Sequence, residues 1–409
     1  MNAAAAGRAP QPLAGVRVVE FTHMVMGPTC GMVLADMGAE VVKVEPIDGD
    51  RTRRLLGAGS GFFPMFNRNK KSVAIDLHSA QGAEVARRLA ASADIVAENF
   101  KPGTMGKYGL DYASLSKANP RVICVSHKGF LPGPYENRTA LDEVVQMMGG
   151  LAYMTGRPGD PLRVGSSVND IMGGMFGAIG VLAALYRRGR GGDGGTVQSA
   201  LFENNVFLVA QHMMQYAVTG QPAAPMPSRI SAWGVYDVFA VKDGEQIFLA
   251  AVSDTQWALM CAEFGFDDLL ADARLASNND RVQAREWLLP ILRERFAVFA
   301  AAELAARFEQ AGLPYAPITR PHDLFDDNHL LATGGLAPVT LPADASCAGR
   351  PVATRVALLP LAIDGQHLPL RRAPPALGAD GDELLAGLGF TGDEIAALRA
   401  DGVVAPGAG

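Results

Sequence analysis

The chain has 409 residues, with 36 Lys plus Arg against 42 Asp plus Glu and a formal net charge of −6. Hydrophobic residues at 49% and charged residues at 19% suit a folded soluble protein of one large domain or two, and the acidic balance offers no basic face of the kind nucleic acid requires. The four cysteines (Cys30, Cys124, Cys261, Cys347) are widely spaced without a CxxC pair, so they read as reduced, buried thiols rather than a disulfide frame or a metal site.

The N-terminal MNAAAAGRAPQPLAG lacks the apolar core of a signal peptide, and a cytoplasmic protein is expected. Val16 to Phe21 is a short apolar run of strand type, followed by a helix from Pro28 to Met37 and a second strand from Glu40 to Val44. Ser72 to Leu77 reads as a further strand and Ala80 to Ala91 as a helix, with strands again at Asp94 to Glu98 and Val122 to Ser126. Such alternation predicts an α/β layer with a largely parallel sheet. Leu141 to Leu185 turns helical and glycine-rich, and its most apolar part, Ile171 to Leu185, is too short to span a bilayer, so no membrane role is expected. Thr196 to Thr219 reads as one long helix. A break at GQPAAPMPSR then leads into a hairpin over Trp233 to Val252 and mainly helical segments to Gly312. The tail reads as Pro-rich until a last helix near Gly392 to Ala400.

A strand followed by a helix at the N-terminus invites a dinucleotide reading, but the connection THMVMGPTCG has no GxGxxG. Without those glycines the backbone cannot approach a pyrophosphate in the usual way, which argues against a nicotinamide dehydrogenase.

Four stretches taken together point elsewhere: PLAGVRVVEFTHMVMGP, MGAEVVKVEPIDGDRTR, FNRNKKSVAIDL and AENFKPGTMGKYGLDY. In this order they resemble the N-terminal half of class III CoA-transferases, the family of formyl-CoA transferase, carnitine CoA-transferase and α-methylacyl-CoA racemase. The likeness continues through NDIMGGMFGAIGVLAALYRRGRGG to APPALGADGDELLAGLGF. It implies a Rossmann-like large domain built from both chain ends (residues 1–220 and 330–409) around a smaller α+β domain (225–320), with two subunits interlocked as a homodimer. It also implies a coenzyme A thioester as substrate, with no tightly bound cofactor, an acyl-CoA donor and a carboxylic-acid acceptor as reaction partners, and no metal.

Carried over residue by residue, the family's CoA contacts fall on Val25, Met26, Ile75 to His78, Asn99, Phe100 and Lys107, with Arg138 close to another basic contact. Lys107 and Pro46 stand where formyl-CoA transferases have arginines, so the phosphate clamp differs here. The family's nucleophile falls on Asp170, in RVGSSVNDIMGGMFG. Read from the residues alone, Asp170 lies where a strand-like run meets a glycine-rich helix, and an aspartate there serves either as a cap or as a carboxylate kept ionised by helix amides. A carboxylate attacks a thioester without a general base, giving a mixed anhydride and CoA thiolate.

Asp142 supports the site, orients the acceptor or caps the helix beginning there. The family's racemases carry a histidine at the position held here by Leu141, and leucine cannot move a proton, which argues against racemisation. His23 and His127 each follow a strand and read as structural or substrate-facing. Gly173, Gly174, Gly177 and Gly180 serve close packing, a ligand, or both. Arg51, Arg53, Arg54, Lys70 and Lys71 are phosphate ligands or solvated loop charge. Trp233 and Tyr236 are candidates for a lid. The stretch HKGFLPGPYENRTALDEVVQMMGGLAYMTG looks closer to the branch that includes mesaconyl-CoA transferases than to the oxalate or carnitine branches, implying short dicarboxylic acids such as mesaconate, itaconate or succinate. Arg138, Arg163 or Arg229 would then meet the distal carboxylate.

Overall fold

The computed structural model describes residues 11–229 and 231–407; the segment 1–10, part of the stretch read for a targeting signal, lies outside the described residues. The chain divides into two compact units, one comprising the residues up to Ala223 together with Asn328 onward, the other Ala224–Asp327.

The larger unit is built on six parallel strands: β1 (Arg17–Phe21), β2 (Glu40–Glu45), β3 (Lys70–Ala74), β4 (Ile95–Glu98), β5 (Ile123–Lys128) and β6 (Gly195–Ala200). Their order is β3-β2-β1-β4-β5-β6, so the winding reverses between β1 and β4. Parallel strands are covered on both faces and therefore read as nearly continuous apolar runs, as in Val18-Val19 and Val41-Val42. Alternate residues feed opposite layers. Val18, Val41, Ile95 and Ile123 pack towards α1 (Met26–Asp36), and Val19, Val42 and Val96 towards α2 (Ala80–Ala91) and the C-terminal Leu384, Leu385, Ile395 and Leu398.

Beyond β5 the chain forms α3 (Asp142–Met148), α4 (Leu151–Thr155) and the 22-residue α5 (Val168–Gly189). This helix is long and apolar enough to cross a membrane, longer than the sequence pattern indicates, because its polar first turn and its Arg187-Arg188 end also wind into it. One side of it belongs to the core. A Cβ at Gly173 or Gly174 would overlap Met26, one at Gly177 would overlap His127, and one at Gly180 would overlap Val197. All four glycines thus serve packing.

The single helix expected over Thr196 to Thr219 is instead β6 followed by α6 (Leu201–Thr219). GTVQSA pairs with β5 from Ile123–Gly195 to Lys128–Ala200, and this edge pairing overrides a local pattern that merges into the next helix. The tail is richer than expected, with antiparallel pairing of Leu336–Leu341 and Val352–Ala357 and a helix Gly381–Gly387 before the anticipated Gly392–Ala400. Cys30 and Cys261 are buried as free thiols, but Cys347 is exposed on a turn-rich loop.

Charged residues inside the strands are buried in pairs. Lys70 Nζ donates to Glu20 (2.7 Å), the Pro28 carbonyl (2.9 Å) and Asn67 (3.0 Å). Lys43 meets Asp50 at 3.0 Å and donates to the Thr22 carbonyl at 2.7 Å. Arg53 forks onto Glu45 (2.8 and 2.7 Å) and stacks 3.7 Å over Phe63. Arg53 and Lys70 are therefore neither solvated nor free to hold phosphate. Lys71 pairs with Glu40 and Glu383, and Arg54 with Asp48.

The smaller unit is an antiparallel sheet of β7 (Val235–Ala240), β8 (Gln246–Ala251) and β9 (Tyr315–Pro317) with helices. Its core gathers Phe239, Trp257, Leu288, Phe296 and Phe308.

Candidate active site

The site is assembled at the C-terminal ends of β1 to β4, where a reversal of strand order leaves a crevice between the loops. After β1 the chain turns through Met24, held at φ 64°, a conformation costly for a side-chain-bearing residue. The turn delivers Val25 and Met26 into α1, both buried. Asn99, following β4, closes the reversal point. It accepts from the His23 N–H at 3.0 Å and donates to the His23 carbonyl at 2.7 Å. The His23 ring lies stacked on Phe100, centroids 5.9 Å apart. Desolvation of this exposed residue's ring holds its pKa below the ordinary imidazole range; Lys43 and Arg51 act in the same direction and Asp50 opposes them.

Beside this bridge is a cavity of about 610 Å³, with Phe21, Pro46, Ile47, Ile75, Leu77 and Phe100 as apolar walls and Asp48, Asp76 and His78 among its polar lining. Ile75, His78 and Phe100, of the expected CoA contacts, line it. Lys107 is exposed on the short helix Thr104–Lys107, between the lining residues Thr104 and Tyr108. Val25, Met26 and Asn99 do not line the cavity; the first two pack inside and the third is spent on the bridge. Arg138 is exposed on the loop after β5 and stacks 4.9 Å over Tyr135. Arg163 is engaged by Glu143 at 3.0 Å. Tyr108, unremarked in the sequence, sets its hydroxyl 3.3 Å from His78 Nδ1; its place next to Lys107 was the available signal.

Asp170 sits half-buried in the first turn of α5, one turn before the glycines that clasp Met26. No strand precedes it. Among the described residues its carboxylate has no hydrogen-bonding partner, so it is not a cap. The cap comes from elsewhere: Asp142 Oδ2 accepts from the Asn169 N–H at 2.7 Å and the Asp170 N–H at 3.0 Å. Asp142, buried, thus caps α5 rather than α3, which begins with it. Gln146, one helical turn further along α3, donates to Asp142 Oδ1 and accepts from the Val164 N–H at 2.8 Å. Its i, i+4 spacing from Asp142 was legible, but its role was not read.

The electrostatics reverse the expectation that helix amides keep Asp170 ionised. Desolvation, then the carboxylates of Asp142 and Glu143, push Asp170 up to about 7. His127 is buried against Gly177, with Nδ1 3.3 Å from the Glu98 carbonyl, and burial pulls it down to about 4. Its ring packs against Gly177, and its burial favours the neutral form.

Comparison with known proteins returns a consistent set. The family model described as CoA-transferase family III matches residues 13–381. The succinyl-CoA–D-citramalate CoA-transferase of Chloroflexus aurantiacus is 31% identical over 406 residues, spanning 97% of this chain and 99% of the relative. The succinyl-CoA:mesaconate CoA-transferase of Haloarcula hispanica is 34% identical over 330 residues, 77% of this chain and 82% of the relative. A crystal structure of a CAIB/BAIF family protein from Brucella suis superposes with a TM-score of 0.81 at 33% identity, covering 93% of this chain and 100% of that one.

Proposed function

The chain belongs to CoA-transferase family III and is an enzyme of that class, and from that premise we propose that it moves CoA between short dicarboxylic acids through a covalent intermediate on Asp170. The observation that carries this reading is a half-buried carboxylate without a hydrogen-bonding partner, set in the first turn of α5 where that helix packs against the N-terminus of α1.

The cavity at the reversal point takes the adenosine end of CoA between Ile47, Ile75, Leu77 and Phe100, with Lys107 and Arg51 reaching its phosphates. Val25, Met26 and Asn99 shape the path from there towards Asp170, and His23 and Arg138 support substrate. Ionised Asp170 attacks the thioester carbonyl; the C–S bond breaks and CoA leaves as thiolate, giving an acyl-aspartyl anhydride. The thiolate attacks the aspartyl carbonyl, releases the first acid and forms an aspartyl-CoA thioester. The acceptor carboxylate then attacks this thioester, expels the thiolate and forms a second anhydride. Attack of the thiolate on its acyl carbon completes the exchange and regenerates Asp170. Water has to be kept out, since it would hydrolyse either intermediate.

The named substrates of the two relatives, succinyl-CoA with citramalate or mesaconate, support the dicarboxylate class. We further propose a cytoplasmic homodimer, interlocked through the unpartnered apolar side of α5 and α6. Met175, Ile179 and Tyr186 on the first and Phe207, Met214 and Tyr216 on the second are all exposed, and a patch of this kind marks an association surface.

The test is incubation with succinyl-CoA or mesaconyl-CoA without acceptor, trapping with hydroxylamine and mass spectrometry of the Asp170 peptide. Modification at Asp170 that is missing in Asp170→Asn supports the reading. An unmodified Asp170 with several acyl-CoA donors, despite CoA binding, removes it.

A further inference from the structure

We infer that Asp142 is a positioning residue for the nucleophile: by occupying the first-turn amides of α5 it leaves the Asp170 carboxylate unbound by its own helix and free to face the thioester. This rests on the reading of Asp170 as nucleophile.

A helix begins with N–H groups that have no intrahelical partner, and an aspartate in the first turn ordinarily folds back onto one of them. In α5 the N–H groups of Val168, Asn169 and Asp170 are already taken. The Val168 N–H bonds the Ser166 carbonyl at 2.8 Å and the Ile171 N–H bonds Ser167 at 3.0 Å. The two between them belong to Asp142, while the Ser167 side chain makes no capping bond. Gln146 steadies the arrangement, holding Asp142 Oδ1 on one side and the Val164 N–H on the other. Two side chains one turn apart on α3 thereby fix three amides of the segment entering α5.

This arrangement has a chemical consequence. A carboxylate deprived of donors and set beside a second negative charge is a stronger base and, once ionised, a stronger nucleophile. The charged groups at this end of α5 are Asp142 and Glu143 from α3, with Arg163 engaging Glu143 at 3.0 Å. From α1 the neighbours are Met26 and Thr29, from α6 Asn204 and Asn205, and from β5 the neutral His127. Glu203 on α6 is bonded to the Leu131 N–H.

The experiment follows the rate of Asp170 acylation by succinyl-CoA from about pH 5 to about pH 9 in the wild type and in Asp142→Asn, which keeps an oxygen for the amides and loses the charge. The expected result is a midpoint at least about one pH unit lower in Asp142→Asn, a severalfold lower alkaline plateau, and an unchanged KM for succinyl-CoA. Identical midpoints overturn the role of Asp142 while leaving Asp170 as nucleophile. Absence of acylation in the wild type at every pH removes the nucleophile itself, and the inference with it. Amide hydrogen exchange of the wild-type enzyme supplies a measurement independent of any variant. The Asn169 and Asp170 amides are expected to exchange as slowly as the interior of α5, and exchange at the rate of an open first turn overturns the inference.

Discussion

The Asn99 side chain grips both ends of one peptide unit's neighbourhood at His23, accepting from its N–H at 3.0 Å and donating to its carbonyl at 2.7 Å. Those two bonds tie the end of β4 to the end of β1 at the point where the sheet reverses its winding. Asn99→Ala removes both and leaves Met24 unsupported in its left-handed turn. The expected loss is about 1–2 kcal/mol of stability, appearing as a melting temperature lowered by a few degrees together with a rise in KM for acyl-CoA, checked by calorimetry and steady-state kinetics. An unchanged KM would show that the bridge does not shape the CoA path.

Replacing Asp170 separates catalysis from stability. Asp170→Asn is expected to lower turnover by about four orders of magnitude while CoA still binds, as measured by isothermal titration. In the folded protein Asp170 is raised to about 7 from an ordinary 3.8, so its ionisation opposes folding. Its contribution is most favourable below about pH 4 and is lost as pH rises to about 7. Melting curves of Asp170→Asn and wild type should therefore diverge between those values, with the variant gaining on the order of 1–2 kcal/mol after allowance for solvent at a half-buried carboxylate, and should run parallel above.

Gly177 faces His127 so closely that a methyl group has no room. Gly177→Ala forces α5 away from β5 and is expected to cost about 1–3 kcal/mol, seen in urea unfolding. Gly189→Ala, at a position with open space around the Cβ, is the matched control and should change little.

Lys70 is fully buried against Glu20. Lys70→Met leaves the Glu20 carboxylate without its closest cation and should destabilise the larger unit by about 3–5 kcal/mol. The double variant Lys70→Met/Glu20→Gln should recover part of that loss in the same unfolding assay, and failure to recover any would mean that the charge pair is not what Lys70 supplies.

The extent to which the sequence disclosed this molecule varies by element. VRVVEF, EVVKV, DIVAE and VICVS were readable as strands because parallel strands covered on both faces leave uninterrupted apolar runs. GTVQSA was not, since β6 is an edge strand with exposed Thr196 and Gln198 on one face and it passes directly into α6. Lys70 and Arg53 read as phosphate ligands or loop charges because their partners, Glu20 and Glu45, lie 50 and 8 residues away and only the sheet brings them together. Asp170 was located through family likeness, but its surroundings were not. The carboxylate that takes its amide is 28 residues earlier, on a different helix, and local sequence carries no trace of that pairing.

The strands of the N-terminal half are finished by residues from the far end of the chain. Asp380 accepts from the Ser72 N–H at 2.9 Å, the Asp76 N–H bonds the Val403 carbonyl at 2.9 Å, and the Ala405 N–H bonds the Ala74 carbonyl at 3.1 Å. During synthesis β3 consequently waits for residues made more than three hundred positions after it, and this layer cannot close before they have emerged. A chain broken before Asp380 would carry an open flank at β3, and the loss would be felt at the cavity beside Ile75, more than three hundred residues upstream of the break.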